Sequence, residues 1–418
     1  MRILWLSNKI ISESDTGSTG TWIDATAYSI QQTGEVKLGN ITLGSENKIE
    51  IRDVAGIQQW ILPSKAKPGA NGLPEERYVK EIIQAVHDFS PDLLHVWGVE
   101  AYWGLLTARK LICYPTLLEM QGFKTAIANV YSGGLNVFEQ LRCIGLKEIL
   151  LRRTIYKQRK DFERWGYFER EIIKNHKYIT VQTEWIKAHI IHLNPNCTIF
   201  QNSRILREPF YKASPWKPEN KENEIKIFCS SAYVAPFKGL HVAIRALSIL
   251  KKNFPNIQLR IAGALRRGGL REDGYIRWLI SEVERLSLNE NVVWLGALSA
   301  DKIVGELQNC DAMLLPSFIE NESNTLREAM YLGVPVVSSY AGGLTSLAKD
   351  EESALFFSPG DYVMCAHQLK RLLLNKALAQ ELSRNARIIC LERQDRNRII
   401  KKQLEIYRYV IDNFISSG

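Results

Sequence analysis

Short apolar runs alternate with longer amphipathic stretches along the whole chain. The short runs have the length of buried strands, whereas apolar positions spaced three and four residues apart, as in 241–254 and 276–288, indicate helices. This alternation is typical of parallel sheets with helices on both faces, so we predict an α/β fold. The predicted strands are RILWLS (2–7), LLHVW (93–97), TLLEM (116–120), KYITVQ (177–182), IKIFCSS (225–231), IQLRIAG (257–263), NVVWLG (291–296) and AMLLPS (312–317).

The length of the chain and one change in composition predict two domains. With 418 residues, the sequence exceeds what one hydrophobic core usually supports. Residues 207–224 are rich in Pro, Lys, Glu and Asn and poor in periodic apolar positions. We therefore predict two Rossmann-like doubly wound domains, residues 1–206 and 207–395, which face each other across a cleft. The apolar stripe in residues 396–418 predicts a final helix that packs back on the first domain.

Composition and charge indicate the cellular compartment of the protein and the chemical class of its partner. The N-terminal run MRILWLSNKII is typical of a buried strand rather than a signal peptide, and no apolar run approaches the roughly 18 residues of a membrane span. We therefore expect a cytoplasmic protein. A net charge of +9 and a pI near 9.0 favour an acidic partner, which is a nucleic acid, an anionic lipid or a phosphorylated small molecule. The seven cysteines are dispersed without a CxxC pair, so we predict no metal site.

A polar loop follows the predicted strand 312–317, at the sheet edge where ligands bind. The helical pattern behind it begins near two good N-cap residues, and a helix start presents free N–H groups to an anion such as a diphosphate. Glu320 is placed to hold a sugar hydroxyl, and Glu328 to accept hydrogen bonds from a ribose diol. The alternative is that these carboxylates, with Glu322, are solvated surface acids. The predicted site residues of this segment are Glu320, Ser323, Asn324, Thr325, Leu326 and Glu328.

A second loop, after the predicted strand 225–231, has the same character. Lys238 and Gly239 stand where the next helix begins, so the lysine can reach a phosphate and the glycine permits close approach of backbone. The alternative is an exposed turn, but two loops suited to an anion at one sheet edge favour a shared ligand. Further donor-binding residues predicted after other strands are Gly20, Arg266, Arg267, Gly296, Ala297 and Leu298.

Residues 225–375 resemble the nucleotide-sugar domain of family-4 glycosyltransferases, which are retaining enzymes of the glycosyltransferase B (GT-B) fold. The resemblance is fainter before residue 205. It implies a nucleotide diphosphate sugar as co-substrate, with Lys238 and Glu320 among the catalytic residues and no cofactor. The matching positions are the pair Glu320 and Glu328 with Ala329 and Met330, the pair Lys238 and Gly239, and the segments AGG and SALFFSPGD.

The first half matches the family pattern less completely. His95 is retained in the strand that ends in histidines in the family, whereas Gln121 stands where a histidine near the donor sugar is usual. Gln121 can donate a hydrogen bond to a sugar oxygen but cannot carry a proton. Asn202 is kept with Ser203 in place of glycine, and Tyr233 replaces an arginine that is common five residues before the lysine. The resemblance adds His95 and Gln121 to the predicted catalytic residues.

These observations predict a metal-independent hexosyltransferase with a nucleotide diphosphate sugar as donor. The acceptor is the hydroxyl of a saccharide or a lipid-linked molecule, in the assembly of cell-surface polysaccharide or glycolipid, and nucleic acid is not an expected partner. Retention of configuration is implied by the resemblance alone. The alternatives are a nucleotide-sugar epimerase or phosphorylase on the same fold, or a catalytically silent scaffold.

Residues 146–160 carry six basic residues and one acid, Glu148. Such a segment could dock the first domain on an anionic membrane, near a lipid-linked acceptor at the inner face. Treated as one helix, it has no single apolar face, because Leu151 and Ile155 lie away from the other apolar residues. The alternative is therefore a solvated helix face.

Overall fold

The computed structural model describes residues 1–13, 21–45, 47–217, 224–231, 233–263 and 273–415. These residues form two α/β domains, each built on a sheet of mainly parallel strands, and this confirms the predicted fold class. None of the helices among the described residues is both long and apolar enough to cross a membrane.

The first domain contains an eight-stranded sheet in the order β3-β4-β2-β1-β5-β6-β7-β8. All pairs are parallel except β3 with β4. Its strands are β1 Arg2–Leu6, β2 Lys37–Leu43, β3 Glu50–Val54, β4 Ile57–Leu62, β5 Leu93–Trp97, β6 Thr116–Glu119, β7 Tyr178–Val181 and β8 Thr198–Gln201. The helices up to the domain junction are α1 Thr21–Gln31, α2 Glu76–Phe89, α3 Trp103–Ala108, α4 Lys124–Asn129, α5 Val137–Arg142, α6 Leu146–Leu150, α7 Ile155–Lys174, α8 Glu184–Leu193 and α9 Glu208–Lys212.

The second domain contains a six-stranded parallel sheet in the order β11-β10-β9-β12-β13-β14. Its strands are β9 Lys226–Ser230, β10 Gln258–Ala262, β11 Val292–Gly296, β12 Ala312–Leu315, β13 Val336–Ser339 and β14 Leu355–Phe357. The remaining helices are α10 Leu240–Leu250, α11 Gly274–Arg285, α12 Ala300–Gln308, α13 Asn324–Leu332, α14 Tyr362–Leu374, α15 Lys376–Arg393 and α16 Arg396–Ile415.

Alternation along each strand divides the apolar core of the first domain between the two faces of its sheet. On β1, Leu4 and Leu6 join the core on one face, whereas Ile3 and Trp5 join the core on the other. Successive strand residues point to opposite faces, so a strand covered on both sides reads as one continuous apolar run. This is why the sequence pattern locates the central strands well.

The last helix, α16, completes the core of the first domain. Tyr407 is fully buried there, and its hydroxyl oxygen accepts a hydrogen bond from Nε1 of Trp5 at 3.2 Å. The same oxygen lies 2.7 Å from Nδ1 of His95. Ile400 and Leu404 of α16 belong to the same apolar cluster as the strand residues of β1. The two ends of the chain therefore share one core.

The segment between α4 and α7 leaves the first domain and packs against the second. Tyr131, Cys143 and Ile155 are buried in the second domain's core. Nε2 of His241, on α10, lies 2.9 Å from the carbonyl oxygen of Gly133. Within the segment of the docking interpretation, residues 146–150 therefore contact the second domain, whereas α7 packs against α3 and α4 of the first.

Residues 146–160 do not form the single helix assumed in the sequence analysis. The chain leaves α6 through a turn in which Arg152 has a φ of 51°, and Thr154 caps the start of α7 by accepting a hydrogen bond from the N–H of Lys157 at 3.2 Å. A left-handed residue followed by an N-cap ends one helix and starts another. Within the predicted boundary region 207–224, Phe210 of α9 is buried in the core of the second domain.

Candidate active site

The centre of the site is an ion pair at the carboxyl edge of the second sheet. Strands β9 and β12 are parallel neighbours, so the loops that follow them meet. Lys238 ends a short 3-10 turn after β9, and Glu320 lies on the loop between β12 and α13. Nζ of Lys238 lies 2.6 Å from Oε1 of Glu320, and Ser317 Oγ donates a hydrogen bond to the same oxygen at 2.8 Å. The structure thus brings these two predicted residues together and adds Ser317, which the sequence analysis missed.

Gly239 allows the two loops to come this close. Its φ is +72°, a left-handed conformation that L side chains rarely adopt, and a Cβ here would overlap the carbonyl oxygen of Pro316. The N–H of Phe318 also donates a hydrogen bond to the carbonyl of Phe237 at 2.7 Å. The close approach predicted for Gly239 is therefore to the neighbouring loop.

A third loop, after β13, supports Glu320 from behind. The N–H of Gly343 donates a hydrogen bond to the carbonyl of Glu320 at 2.8 Å. A Cβ at Gly342 would overlap that same carbonyl, and one at Gly343 would overlap the carbonyl of Asn321. The two glycines of the AGG segment are therefore required by backbone packing against the site loop.

The helix behind the loop begins where the sequence predicts. Ser323 is the N-cap of α13, and its Oγ accepts a hydrogen bond from the N–H of Leu326 at 3.3 Å. Leu326 is fully buried, so its contribution at the helix start is its backbone. The side chain of Asn324 accepts a hydrogen bond from Arg327. Thr325 is half-buried in the first turn.

Glu328 has a protein partner that the sequence analysis missed. The guanidinium of Arg207 donates to its Oε1 from Nε at 3.0 Å and from Nη2 at 2.7 Å. Glu328 is only 4% exposed. It is therefore a buried carboxylate with a cationic partner, which overturns the alternative of a solvated surface acid. The sequence feature that could have indicated Arg207 is its position shortly after β8, at the carboxyl edge of the first sheet, where ligand-binding residues lie.

Asn321 joins the site loop to the first domain. Its Nδ2 donates to the backbone carbonyl of Gln121 at 2.7 Å and to Oε1 of Gln182 at 3.2 Å. Its Oδ1 accepts from Oγ1 of Thr183 at 2.9 Å. Gln121 follows β6, so the carboxyl edges of the two sheets meet beside Glu320. Gln121 therefore lies where the two sheets meet, and its catalytic role stays a prediction.

Glu100 is a carboxylate on the first-domain side of the same region. It follows β5 and accepts a hydrogen bond from the N–H of Gly122, next to Gln121. Nζ of Lys124 donates to its backbone carbonyl at 2.7 Å. Burial raises the pKa of Glu100, and the N–H of Gly122 and the charge of Lys124 oppose that shift. The sequence analysis missed Glu100, although an acid three residues beyond the predicted strand 93–97 lies where ligand-binding residues are expected.

His95, which is predicted to be catalytic, lies inside the core of the first domain. It is fully buried within β5, where its ring stacks on Trp97 with centroids 4.0 Å apart. Burial lowers its pKa to about 3, so the ring is neutral at physiological pH. A side chain with no exposed surface offers no face to a substrate. Strand β5 ends at Trp97, so the ligand-facing edge of the sheet lies beyond that residue. His95 lies two residues before this end, inside the strand.

A buried charge cluster lies behind the site, where the two domains meet. Nε of Arg204 lies 3.4 Å from Oε1 of Glu119 and 4.0 Å from Oε2 of Glu322. Arg327 and Arg393 approach Oε1 of Glu322 at 3.7 and 3.8 Å. Burial raises the pKa of Glu119 to about 8, against the opposing charge of Arg204. These side-chain contacts fix the far end of the site loop against the first domain.

Among the residues that the structure describes, the others predicted to bind the donor substrate are not brought together with Lys238 and Glu320. Gly296 has a φ of +72° at the end of β11, Ala297 is exposed, and Leu298 packs against the core of the second domain. Gly20, Arg266 and Arg267 lie outside the described residues. No group of three or more His, Cys, Asp or Glu side chains suited to a metal ion occurs in the part of the chain that the structure describes.

Comparisons with known proteins bear on the family of the second domain and on the fold of the chain. Residues 212–388 match the model of the family described as glycosyl transferases group 1. The glycogen synthase of Mycobacterium tuberculosis is 31% identical over 150 residues, which are 36% of this chain and 34% of that protein. The D-inositol 3-phosphate glycosyltransferase of Salinispora tropica is 28% identical over 182 residues, 42% of this chain and 36% of that protein. These matches therefore span little more than a third of the curated relatives' length.

Solved structures resemble the whole chain. Sucrose-phosphate synthase from Thermosynechococcus elongatus superposes with a TM-score of 0.75 at 15% identity, covering 99% of both chains. HepE from Anabaena, solved with UDP and glucose, gives a TM-score of 0.65 at 16% identity over 97% of this chain and 98% of its own. At such identities the likeness shows the fold alone. The chain thus has the GT-B fold throughout, and its second domain matches the glycosyl transferases group 1.

Proposed function

We propose that this protein is a retaining glycosyltransferase that moves a hexosyl group from a nucleotide diphosphate sugar to an acceptor hydroxyl. The observation that carries the proposal is the Lys238–Glu320 pair, at 2.6 Å, beside the capped start of α13. A lysine and a helix N-terminus at one sheet edge form a site for a diphosphate. Gln121 of the opposite domain lies at the same place through its contact with Asn321.

Each side chain has a defined role in this proposal. The bond from the sugar C1 to the β-phosphate oxygen breaks, and negative charge grows on the departing diphosphate. Lys238 and the free N–H groups at the start of α13 stabilise that charge, which lowers the barrier without a metal ion. Glu320 orients the ammonium of Lys238 and accepts a hydrogen bond from a sugar hydroxyl. No cofactor has a part in these steps.

The first domain supplies the acceptor side. Gln121 donates a hydrogen bond to a sugar oxygen, and Glu100 accepts one from the attacking acceptor hydroxyl. The hydroxyl oxygen forms the new bond to C1 as its proton passes to the departing diphosphate. The half-buried position of Glu100 beside Gly122 supports this role. We propose that the acceptor is a saccharide or lipid-linked molecule in cell-surface polysaccharide or glycolipid assembly, at the cytoplasmic face of the membrane.

A ligand panel tests the donor class. The melting temperature is measured with UDP, GDP, ADP and their glucose or mannose conjugates, since saturating ligand at about 100 times its Kd adds ~2.7 kcal/mol of stability. The expected result is stabilisation by one nucleotide diphosphate, which is lost in Lys238→Ala. The matched control is Lys349→Ala, because Lys349 is a second-domain lysine in an exposed ion pair with Glu352. Stabilisation by none of these compounds would contradict the proposal.

Product analysis separates transfer from other reactions of the same donor. A transferase with the nucleotide identified above converts donor and acceptor to a glycoside with the donor's anomeric configuration, which NMR of the anomeric proton reports. An isomerised nucleotide sugar formed without acceptor would indicate an epimerase, and dependence on inorganic phosphate would indicate a phosphorylase. Donor binding with no turnover on any acceptor would indicate a silent scaffold.

A further inference from the structure

Helices α5 and α6 expose an unusual concentration of large apolar side chains. We call this region the α5–α6 surface. The exposed apolar side chains of α5 are at positions 137, 138 and 141, and those of α6 are at 146, 149 and 150. With this spacing, each set of three lies on one face of its helix. Phe138 and Leu150 are each 79% exposed. The apolar residues of the surface are Val137, Phe138, Leu141, Leu146, Ile149, Leu150 and Leu151.

The inner faces of these two short helices are tied to the second domain. Glu139 pairs with Arg245 of α10. Glu148 is 4% exposed, and its Oε1 accepts a hydrogen bond from the N–H of Gly274, at the start of α11, at 3.0 Å. Cys143, between the helices, is buried in the second domain's core. The helices are thus held in place, and their apolar faces point outward because their polar contacts are made inward.

The exposed charges on α5, on α6 and on the turn that follows α6 are of one sign. Both acids of α5 and α6, Glu139 and Glu148, are engaged on the inner side. The arginines at 142, 152 and 153 are all exposed. By contrast, the basic residues further along the chain are neutralised on α7, where Lys157 pairs with Asp161. The α5–α6 surface therefore combines exposed apolar side chains with exposed arginines.

We propose that the α5–α6 surface docks this protein on an anionic lipid bilayer. Large exposed apolar patches mark membrane or protein contacts, and a helix face with apolar residues flanked by arginines inserts at the boundary of headgroups and acyl chains. A second copy of the chain is a poor occupant, because a two-fold contact would bring the same arginines against each other. Anionic headgroups instead complement these charges. The inference does not depend on the proposed transfer reaction.

Vesicle co-sedimentation with the full chain tests this inference. We expect binding to vesicles of phosphatidylcholine with phosphatidylglycerol and weak binding to phosphatidylcholine alone. High salt should release the protein, because it shortens the screening length and so weakens the attraction between the arginines and the headgroup charges. The double variant Arg142→Glu with Arg153→Glu should weaken binding at least about 25-fold, since each basic residue near the surface contributes about 5-fold. The variant Phe138→Ser with Leu150→Ser should weaken it at least about 10-fold.

The control is a second pair of exposed apolar residues. Leu374 and Ile388 are 65% and 67% exposed on α14 and α15, and the variant Leu374→Ser with Ile388→Ser should bind like the parent. All variants alter exposed positions, so circular dichroism should show unchanged melting. Equal binding to neutral and anionic vesicles, no binding to either, or equal loss in the control would overturn the proposal. A dimer that Phe138→Ser with Leu150→Ser dissociates, without vesicle binding by the parent, would assign the surface to a second copy instead.

Discussion

Replacing Lys238 with alanine removes the cation nearest to the proposed diphosphate. The loss of one charge-stabilising donor in a closed site typically costs on the order of 100-fold in kcat, or about 2.7 kcal/mol. The folding cost is smaller. The side chains of Lys238 and Glu320 are 24% and 14% exposed, and Ser317 still donates to the carboxylate. We expect about 1–2 kcal/mol of lost stability, a fall of a few degrees in Tm, so the activity loss is separable from unfolding.

The 2.6 Å contact between Lys238 and Glu320 predicts that the two side chains act together in catalysis, because Glu320 orients the lysine. Initial rates with the donor identified by the ligand panel are measured for the parent, Lys238→Ala, Glu320→Gln and the double variant. Residues in direct contact couple by about 0.5–3 kcal/mol, so Glu320→Gln should cost several-fold less activity in the Lys238→Ala background. Effects that multiply independently would refute the idea that the two residues act as one unit. Lys349→Ala again serves as the charge-matched control.

Three further predictions concern the surroundings of the site. Glu328→Gln should weaken nucleotide diphosphate affinity in calorimetry more than Glu320→Gln does, because Glu320 acts on the sugar; equal losses would contradict the division. A chain ending before Arg396 should lose the melting transition of the first domain, because α16 supplies Tyr407 to its core, and an unchanged Tm would count against this. The pKa of Glu119 is raised to about 8, so its contribution to stability falls as pH rises from about 5 to 8. Glu119→Gln should flatten that fall in urea titrations; a parallel slope in both proteins would be inconsistent with a protonated buried carboxyl.

Eight strands and the helix start at Asn324 could be predicted because their signals are local. The sequence analysis missed six other strands of the described residues, which are β2, β3, β4, β8, β13 and β14. A buried parallel strand is a continuous apolar run, and Ser323 is a residue type that caps helices wherever it occurs in this position. The break between α6 and α7 also had a local signal, since Thr154 precedes the apolar residue that begins α7. Treating residues 146–160 as one helix passed over that N-cap.

The contacts that complete the site could not be predicted because their partners are far apart in sequence. Arg207 and Glu328 are 121 residues apart, and Asn321 and Gln121 are 200 apart. No periodicity indicates such pairs. His95 shows the converse problem, because its sequence neighbours match a functional strand while its position within the strand keeps it inside the core. Likewise, the apolar residue Ile155 belongs to the second domain's core, although it lies within the first half of the sequence.

The burial of Tyr407 against Trp5 has a consequence for the order in which the chain folds during synthesis. These residues are 402 positions apart, yet they share one hydrogen bond inside one core. The strands of the first sheet leave the ribosome about 200 residues before α16, a delay of roughly 10–40 s at the usual rate of translation. During that interval one face of the nascent sheet lacks its cover, so newly made chains expose apolar surface that chaperones would recognise. The second domain, whose last helix is α15, completes before the first.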